Sequence, residues 1–177
     1  MSHGDPKNPA KNPHPVSRYE ITATSDAPGP WDSMIGYIHY DVANKQCIPM
    51  DSFLGEQNVP NIGVDIEMNR VDDHTWKGYF YRDALQDDDY FNLGVCHWDV
   101  TSVSANTTAQ GVRFGWGGLF DELLRDSPET SYFKKSSYGD QSFAPDGAPN
   151  YSPLRSEYRR DPSEFFPVTI AIGEAPE

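Results

Sequence analysis

Residues 73–99, DHTWKGYFYRDALQDDDYFNLGVCHWD, decide the fold class. Trp76, Gly78, Phe80 and Arg82 fall on one parity, and Lys77, Tyr79, Tyr81 and Asp83 on the other. A strand turns successive side chains to opposite faces, so this pattern favours strand over helix. The second run, Leu93 to Val103, is rich in β-branched and aromatic residues and reads as a strand as well. The pair is expected to form two central strands of an antiparallel sheet, joined by an acidic connector.

Strand signals recur on either side of this stretch. Val16–Thr24 alternates β-forming residues. Trp31–Val42 places Met34, Gly36, Ile38 and Tyr40 on one parity, and Ile62–Val71 does the same with Ile62, Val64, Ile66 and Met68. The turn Asp72-Asp73 then predicts a hairpin into the Trp76 strand. Ile48–Asn61 reads as a long loop with small anchors such as Phe53. Gln110–Trp116 groups Val112, Phe114 and Trp116, and Phe165–Ile172 is a late apolar run that closes the sheet. Leu119–Arg125 is the one short helix, with Leu119 and Leu123, and Phe120 and Leu124, at i, i+4 and Pro128 just beyond. Thr130–Arg160 is polar, aromatic and Gly/Pro-rich, and is expected to be mostly irregular. About seven short strands separated by turn signals predict a mainly β, single-domain antiparallel β-sandwich with long loops over residues 16–177.

Composition agrees. The 177 residues include 15 Pro and 14 Gly, yet 13% are aromatic, which excludes a fully disordered chain. The net charge of −13 disfavours nucleic acid and anionic lipid, whose binding rests on Lys and Arg. A protein partner with a basic surface is the better electrostatic match. No apolar run is long enough to span a bilayer. Residues 1–15 carry Pro6, Pro9, Pro13 and Pro15 and little that could be buried, and read as a disordered tether. Such a spacer follows the lipidated Cys of a processed lipoprotein, with Met1 standing where that Cys would be. An ordinary start Met is the other reading. Cys47 and Cys96 are the only cysteines, and an even count in an exported chain favours a disulfide. A bridge closing so long a loop is worth roughly 4 kcal/mol in the chain-entropy model.

Catalytic and metal signatures are weak. His97 and Asp99 share a strand face and would need His39 as a third metal ligand, but a surface polar pair explains them better. Asp87-Asp88-Asp89 lacks the spacing of a calcium loop. There is no Gly-x-Ser-x-Gly elbow, and the neighbours Cys96 and His97 would point to opposite faces. Asn106-Thr107-Thr108 matches a glycosylation sequon. No catalytic residue, metal site or cofactor is expected. The binding candidate is the connector: Asp87, Asp88 and Asp89 to steer a basic partner, and Tyr90 and Phe91 as apolar anchors at a hairpin tip.

The run Ala27–Val42 (APGPWDSMIGYIHYDV) and the stretch Val71–Trp98 resemble small bacterial lipoproteins encoded beside type VI secretion phospholipase effectors, a group of periplasmic immunity proteins. The resemblance covers about Tyr19 to Phe120, and the lipidated Cys of that group is missing. It implies a periplasmic, outer-membrane-anchored binding protein, not an enzyme, that neutralises a secreted effector of the lipase type. The alternative is an extracytoplasmic hydrolase or carbohydrate-binding β-sandwich with a carboxylate site. If the cysteines are paired as their count implies, thiol titration of the unfolded, unreduced protein finds essentially none; two titratable thiols would refute the bridge.

Overall fold

The computed structural model describes residues 4–177. Strands form where the alternation is cleanest. They are β1 (Arg18–Ser25), β2 (Ser33–Val42), β3 (Asn61–Glu67), β4 (Asn69–Asp72), β5 (Thr75–Tyr81), β6 (Trp98–Ala109), β7 (Val112–Leu119), β8 (Glu129–Lys134) and β9 (Phe165–Glu174). They build a sandwich of two antiparallel sheets, one in the order β4-β5-β1-β9-β8 and the other β3-β2-β6-β7. Inward parities match the sequence: Met34, Ile38 and Tyr40 of β2, Trp76 and Phe80 of β5, and Val112, Phe114 and Trp116 of β7 are all buried. On β6 the alternation shifts at a bulge between the pairs His39–Ser102 and Tyr40–Val100, which lets Val100 and Val103 both face the core.

The two runs of residues 73–99 are not sheet neighbours, contrary to the expectation. β5 pairs with β1, whereas β6 pairs with β2 and β7 in the opposite sheet. The connector therefore crosses from one layer to the other and is not a hairpin tip. Arg82, which continues the inward parity of β5, spans the gap: its Nε and Nη2 donate to Asp99 Oδ1 and Oδ2 at 2.8 and 2.9 Å. Tyr40 Oη donates to Tyr81 O at 2.6 Å, and Trp116 Nε1 to Thr169 O at 2.9 Å, adding two more ties between the sheets. Burial, with Asp83 and Asp99 nearby, pushes the Tyr40 phenol well above its ordinary range.

The second layer change lies at Met68. Ile62–Val71 is expected as one strand, but it divides into β3 in one sheet and β4 in the other, with Met68 buried at the crossing. The expected hairpin survives as the β4–β5 pair. Gly78 makes the crossing possible: a β-carbon there would lie 2.5 Å from Met68 Sδ and 2.8 Å from Glu67 O, so any other residue would force the strands apart.

The helix α1 (Phe120–Asp126) sits where the periodicity places it and buries Phe120 and Leu123, while Leu119 and Leu124 stay exposed. So short a helix depends on its docked face for stability. The segment 130–160 is less irregular than expected. It begins in β8 and includes a five-residue helix, α2 (Ser156–Arg160). Tyr158 of α2 stacks on Tyr132 of β8 at 3.9 Å, and Tyr151 meets Phe165 at 5.2 Å. Those aromatics hold the polar stretch against the sheet edge.

The N-terminal stretch also departs from the reading of a free tether. Asn12 N donates to Ala84 O (2.9 Å) and Gln86 N to Ala10 O (2.8 Å), Asn12 Nδ2 reaches Asp83 O, and the Asp83 carboxylate accepts from Val16 and Ser17 N. Prolines do not prevent this docking, because the paired groups belong to Ala10 and Asn12. The position expected to carry a lipid, Met1, lies outside the described residues.

Two predictions follow from these ties. Deleting residues 1–15 removes two backbone hydrogen bonds and the Asn12 side-chain bond to the rest of the fold, each worth about 1 kcal/mol, so the melting temperature should fall by about 5 °C or more. An unchanged melting temperature would show that the segment is not docked in solution. Burial raises the Asp99 carboxyl, but the Arg82 guanidinium and the Val100 N–H lower it further, leaving it below the usual carboxylate range. The stability this supplies is complete above the unfolded value near 4 and is lost as pH falls through the lowered folded value. Asp99→Asn should therefore destabilise at pH 7, and the gap to the parent should close as pH falls below about 4. A gap independent of pH would show that the ion pair is not its cause.

Candidate partner-binding surface

Cys47 and Cys96 are joined, with their Cα atoms 5.4 Å apart. The bridge fastens the segment after β2 to the end of the layer-crossing connector. Hydrogen bonds lock the same junction: Asn44 Nδ2 donates to Val95 O (2.8 Å), and Asn44 Oδ1 accepts from His97 N (2.7 Å). Asp88 and Cys96 exchange backbone hydrogen bonds as an isolated bridge, so Cys96 lies outside β6, not within a strand as expected. Disulfides of this kind persist in oxidising, extracytoplasmic compartments.

The acidic run is consumed largely by the same junction. Asp87 accepts from Trp98 N (2.9 Å) through Oδ1 and pairs with His97 Nδ1 (2.8 Å) through Oδ2. Asp88 Oδ1 accepts from Asp89 N, and Asp89 Oδ1 from Leu93 N. Tyr90 is buried; its hydroxyl accepts from Trp98 Nε1 at 2.9 Å and donates to Gln86 O at 3.2 Å. It is a core residue with a satisfied polar tip, not an exposed anchor. Phe91 is half-buried and is the one aromatic of the pair that reaches a surface groove.

That groove, of about 500 Å³, lies between the N-terminal segment and the loop from Ile48 to Asn61. Ile48, Pro49, Met50, Val59, Pro60 and Phe91 give it an apolar lining. The loop itself is organised. Gln57 Nε2 donates to Lys45 O and Ile48 O at its base, and Met50 pairs with Gln57 across it. At the tip Asp51 accepts from Phe53 N (2.9 Å) and Leu54 N (3.0 Å), and Gly55 N closes back on Asp51 O (2.8 Å). Gly55 has φ 67°, the left-handed region that glycine enters without strain. Those N–H donors from Leu54 and Phe53 hold the Asp51 carboxyl below its ordinary value. The turn presents Phe53 93% exposed and Leu54 65% exposed, beside Met50 at 59%. Three large apolar side chains held out on an ordered loop next to an apolar groove form a contact surface, not a core.

Phe53 is thus the reverse of the inward anchor expected from sequence. The signal was present: Asp51 followed by Gly55 is the pattern of a side-chain-capped turn, and such a turn fixes the direction of what lies between. The remaining chemistry candidates separate. Asp99 pairs with Arg82, His97 with Asp87, and His39 Nε2 lies 3.1 Å from Asp41 Oδ1. Among the described residues no three metal-type side chains converge, and no helix is long and apolar enough to cross a membrane. Comparison of the chain with protein-family models, with curated proteins and with solved structures returns no match.

If the turn is ordered as described, Phe53→Ala leaves the unfolding free energy unchanged within about 0.5 kcal/mol, as befits an exposed side chain. Asp51→Ala, by freeing the turn, should speed chymotrypsin cleavage after Phe53 and Leu54 in the native state. A marked loss of stability in Phe53→Ala would instead mean that Phe53 is docked.

Proposed function

We propose that the protein is a periplasmic immunity protein that binds a secreted antibacterial effector, of the lipase type, and blocks it through the loop bearing Met50, Phe53 and Leu54. The observation that carries the reading is the pairing of an ordered apolar projection with an adjoining apolar groove, pinned by a disulfide on a chain of net charge −13. Each half has a physical role. The negative field raises the encounter rate with a basic partner. The apolar tip then supplies area that is fully desolvated only in the complex, which is where binding energy concentrates. Phe91 takes part as a wall of the groove. Asp87, Asp88 and Asp89 contribute to the field from a fixed backbone, and Tyr90 supports them from within the core. An outer-membrane lipid anchor on the native N-terminus accords with the same reading, since it would hold the inhibitor where the effector arrives.

The experiment measures binding kinetics between this chain and the effector encoded beside its gene, together with protection of a susceptible strain that exports the chain to the periplasm. Association should be fast and should slow as salt rises. Phe53→Ala combined with Leu54→Ala should leave the association rate nearly unchanged and raise the dissociation rate roughly ten-fold or more, abolishing protection. Absence of binding and of protection by the parent chain would overturn the reading; unaltered dissociation of the double variant would move the interface away from the loop.

A further inference from the structure

The outer face of the β3-β2-β6-β7 sheet bears a second surface, on which hydroxyl, amide and charged side chains alternate with the exposed Ile35 and Leu119. Two adjoining hollows, of about 530 and 460 Å³, run across the strands and share Ser104 and Asn106 of β6 as their common floor. Spanning four strands makes the trough ~14 Å wide from edge to edge. At the β3 end Tyr37 lies down across Gly63: a β-carbon at Gly63 would overlap the Tyr37 hydroxyl, so glycine there allows the ring to recline on the sheet. The ring is 36% exposed, and the His39 imidazole stands nearly parallel beside it, with 29° between the planes. At the β7 end Gly115 and Gly117 keep the surface low. A β-carbon at Gly115 would stand 2.8 Å from Asn106 Oδ1, and one at Gly117 would overlap Val103 O.

We propose that this trough binds a neutral, unbranched oligosaccharide. A pyranose ring presents an apolar C–H face and a rim of hydroxyls that both donate and accept. The trough offers the matching set: a reclining aromatic face at Tyr37, and around it an amide (Asn106), a hydroxyl (Ser104), a carboxylate (Asp65) and a guanidinium (Arg113). Neither Asp65 nor Arg113 forms an ion pair among the described residues, so both remain available to a ligand. The charge balance selects the glycan class. Arg113 is opposed by Asp65 and by Glu122 at the far end, on a chain already strongly acidic, which turns anionic polysaccharides away. Ile35 and Leu119 also line the trough and are exposed, which adds apolar area against the C–H face of a sugar ring. The site is independent of the effector-binding loop: the two share no lining residue.

The test is titration calorimetry of the full chain with cellohexaose, chitohexaose and maltohexaose, joined to backbone amide spectra of the parent protein. At least one hexasaccharide should bind, and the amide shifts should cluster at Gly63, Ser104, Asn106, Gly115 and Gly117. Tyr37→Phe should keep the affinity, while Tyr37→Ala should lower it roughly ten-fold or more, a loss typical of removing a central aromatic contact. Should Tyr37→Ala fold poorly, Asn106→Ala serves in its place and should also weaken binding. Phe53→Ala should leave sugar binding intact. Failure of all three hexasaccharides to bind, shifts confined to the 50–54 loop, or binding that survives both Tyr37→Ala and Asn106→Ala would each overturn the proposal. Because the effector assay uses the other surface, neither result decides the other.

Discussion

The covalent link between Cys47 and Cys96 governs the end of the molecule on which the apolar loop and its adjoining groove lie. A two-layer sandwich needs the chain to pass between layers somewhere, and such passages have few backbone partners of their own. Here the passage from β5 to β6 takes sixteen residues of non-strand chain, from Arg82 to His97, over the open mouth of the sandwich. The disulfide restrains it late, at Cys96, and Arg82 restrains it early, through Asp99. Between these two points the acidic side chains serve as acceptors: Asp88 and Asp89 for the passage's own N–H groups, Asp87 for Trp98 N at the start of β6, and Asp83 for Val16 N and Ser17 N. A run that looks free to steer a partner is therefore largely spent on holding its own backbone.

The same anchor explains how an apolar loop can project. Phe53 and Leu54 in water carry a free-energy cost, and an unpinned loop would fold them back or fluctuate. The loop's base is tied by the bridge and by Gln57, and its tip by Asp51, so collapse onto the groove would break several hydrogen bonds. Order at the tip also lowers the entropy lost on association, which strengthens any complex made there. The sheet face works by the opposite means. Its aromatic is laid flat by a glycine, and its polar groups are fixed by the strand pleat, so it is ordered by β-pairing alone.

Much of the architecture was legible in the chain. Period-two alternation placed β1, β2, β5, β7 and β9 to within a few residues, and the i, i+4 pattern with Pro128 placed α1, because those signals are local and set by burial of one face; β6 lies five to six residues beyond its expected bounds, and β8 forms in a stretch read as irregular. The cysteine count pointed to the bridge. Partnering was less accessible. Nothing between Tyr81 and Trp98 tells whether β5 and β6 pair in one sheet or oppose each other across the core, since both arrangements bury the same parity. The break at Met68 was only partly visible: alternation holds from Ile62 to Met68 and fails at Arg70 and Val71, but only the close approach to Gly78 reveals that the chain changes layers there.

Sequence by itself determined a mainly β, disulfide-bearing, acidic chain with one short helix, because composition, parity and cysteine number are properties of the residues and not of their arrangement. Tertiary structure decided which aromatics are buried. Tyr90, with a donor and an acceptor waiting at Trp98 and Gln86, goes inside; Phe53, lifted by the turn at Asp51, goes out; Tyr37, with no side chain at Gly63 to prop it up, lies flat on the sheet. The three rings have similar apolar area, so hydrophobicity alone does not sort them. Their fates are set by the backbone each is attached to and by whether a partner group stands within reach, and both are known only once the sheets have closed.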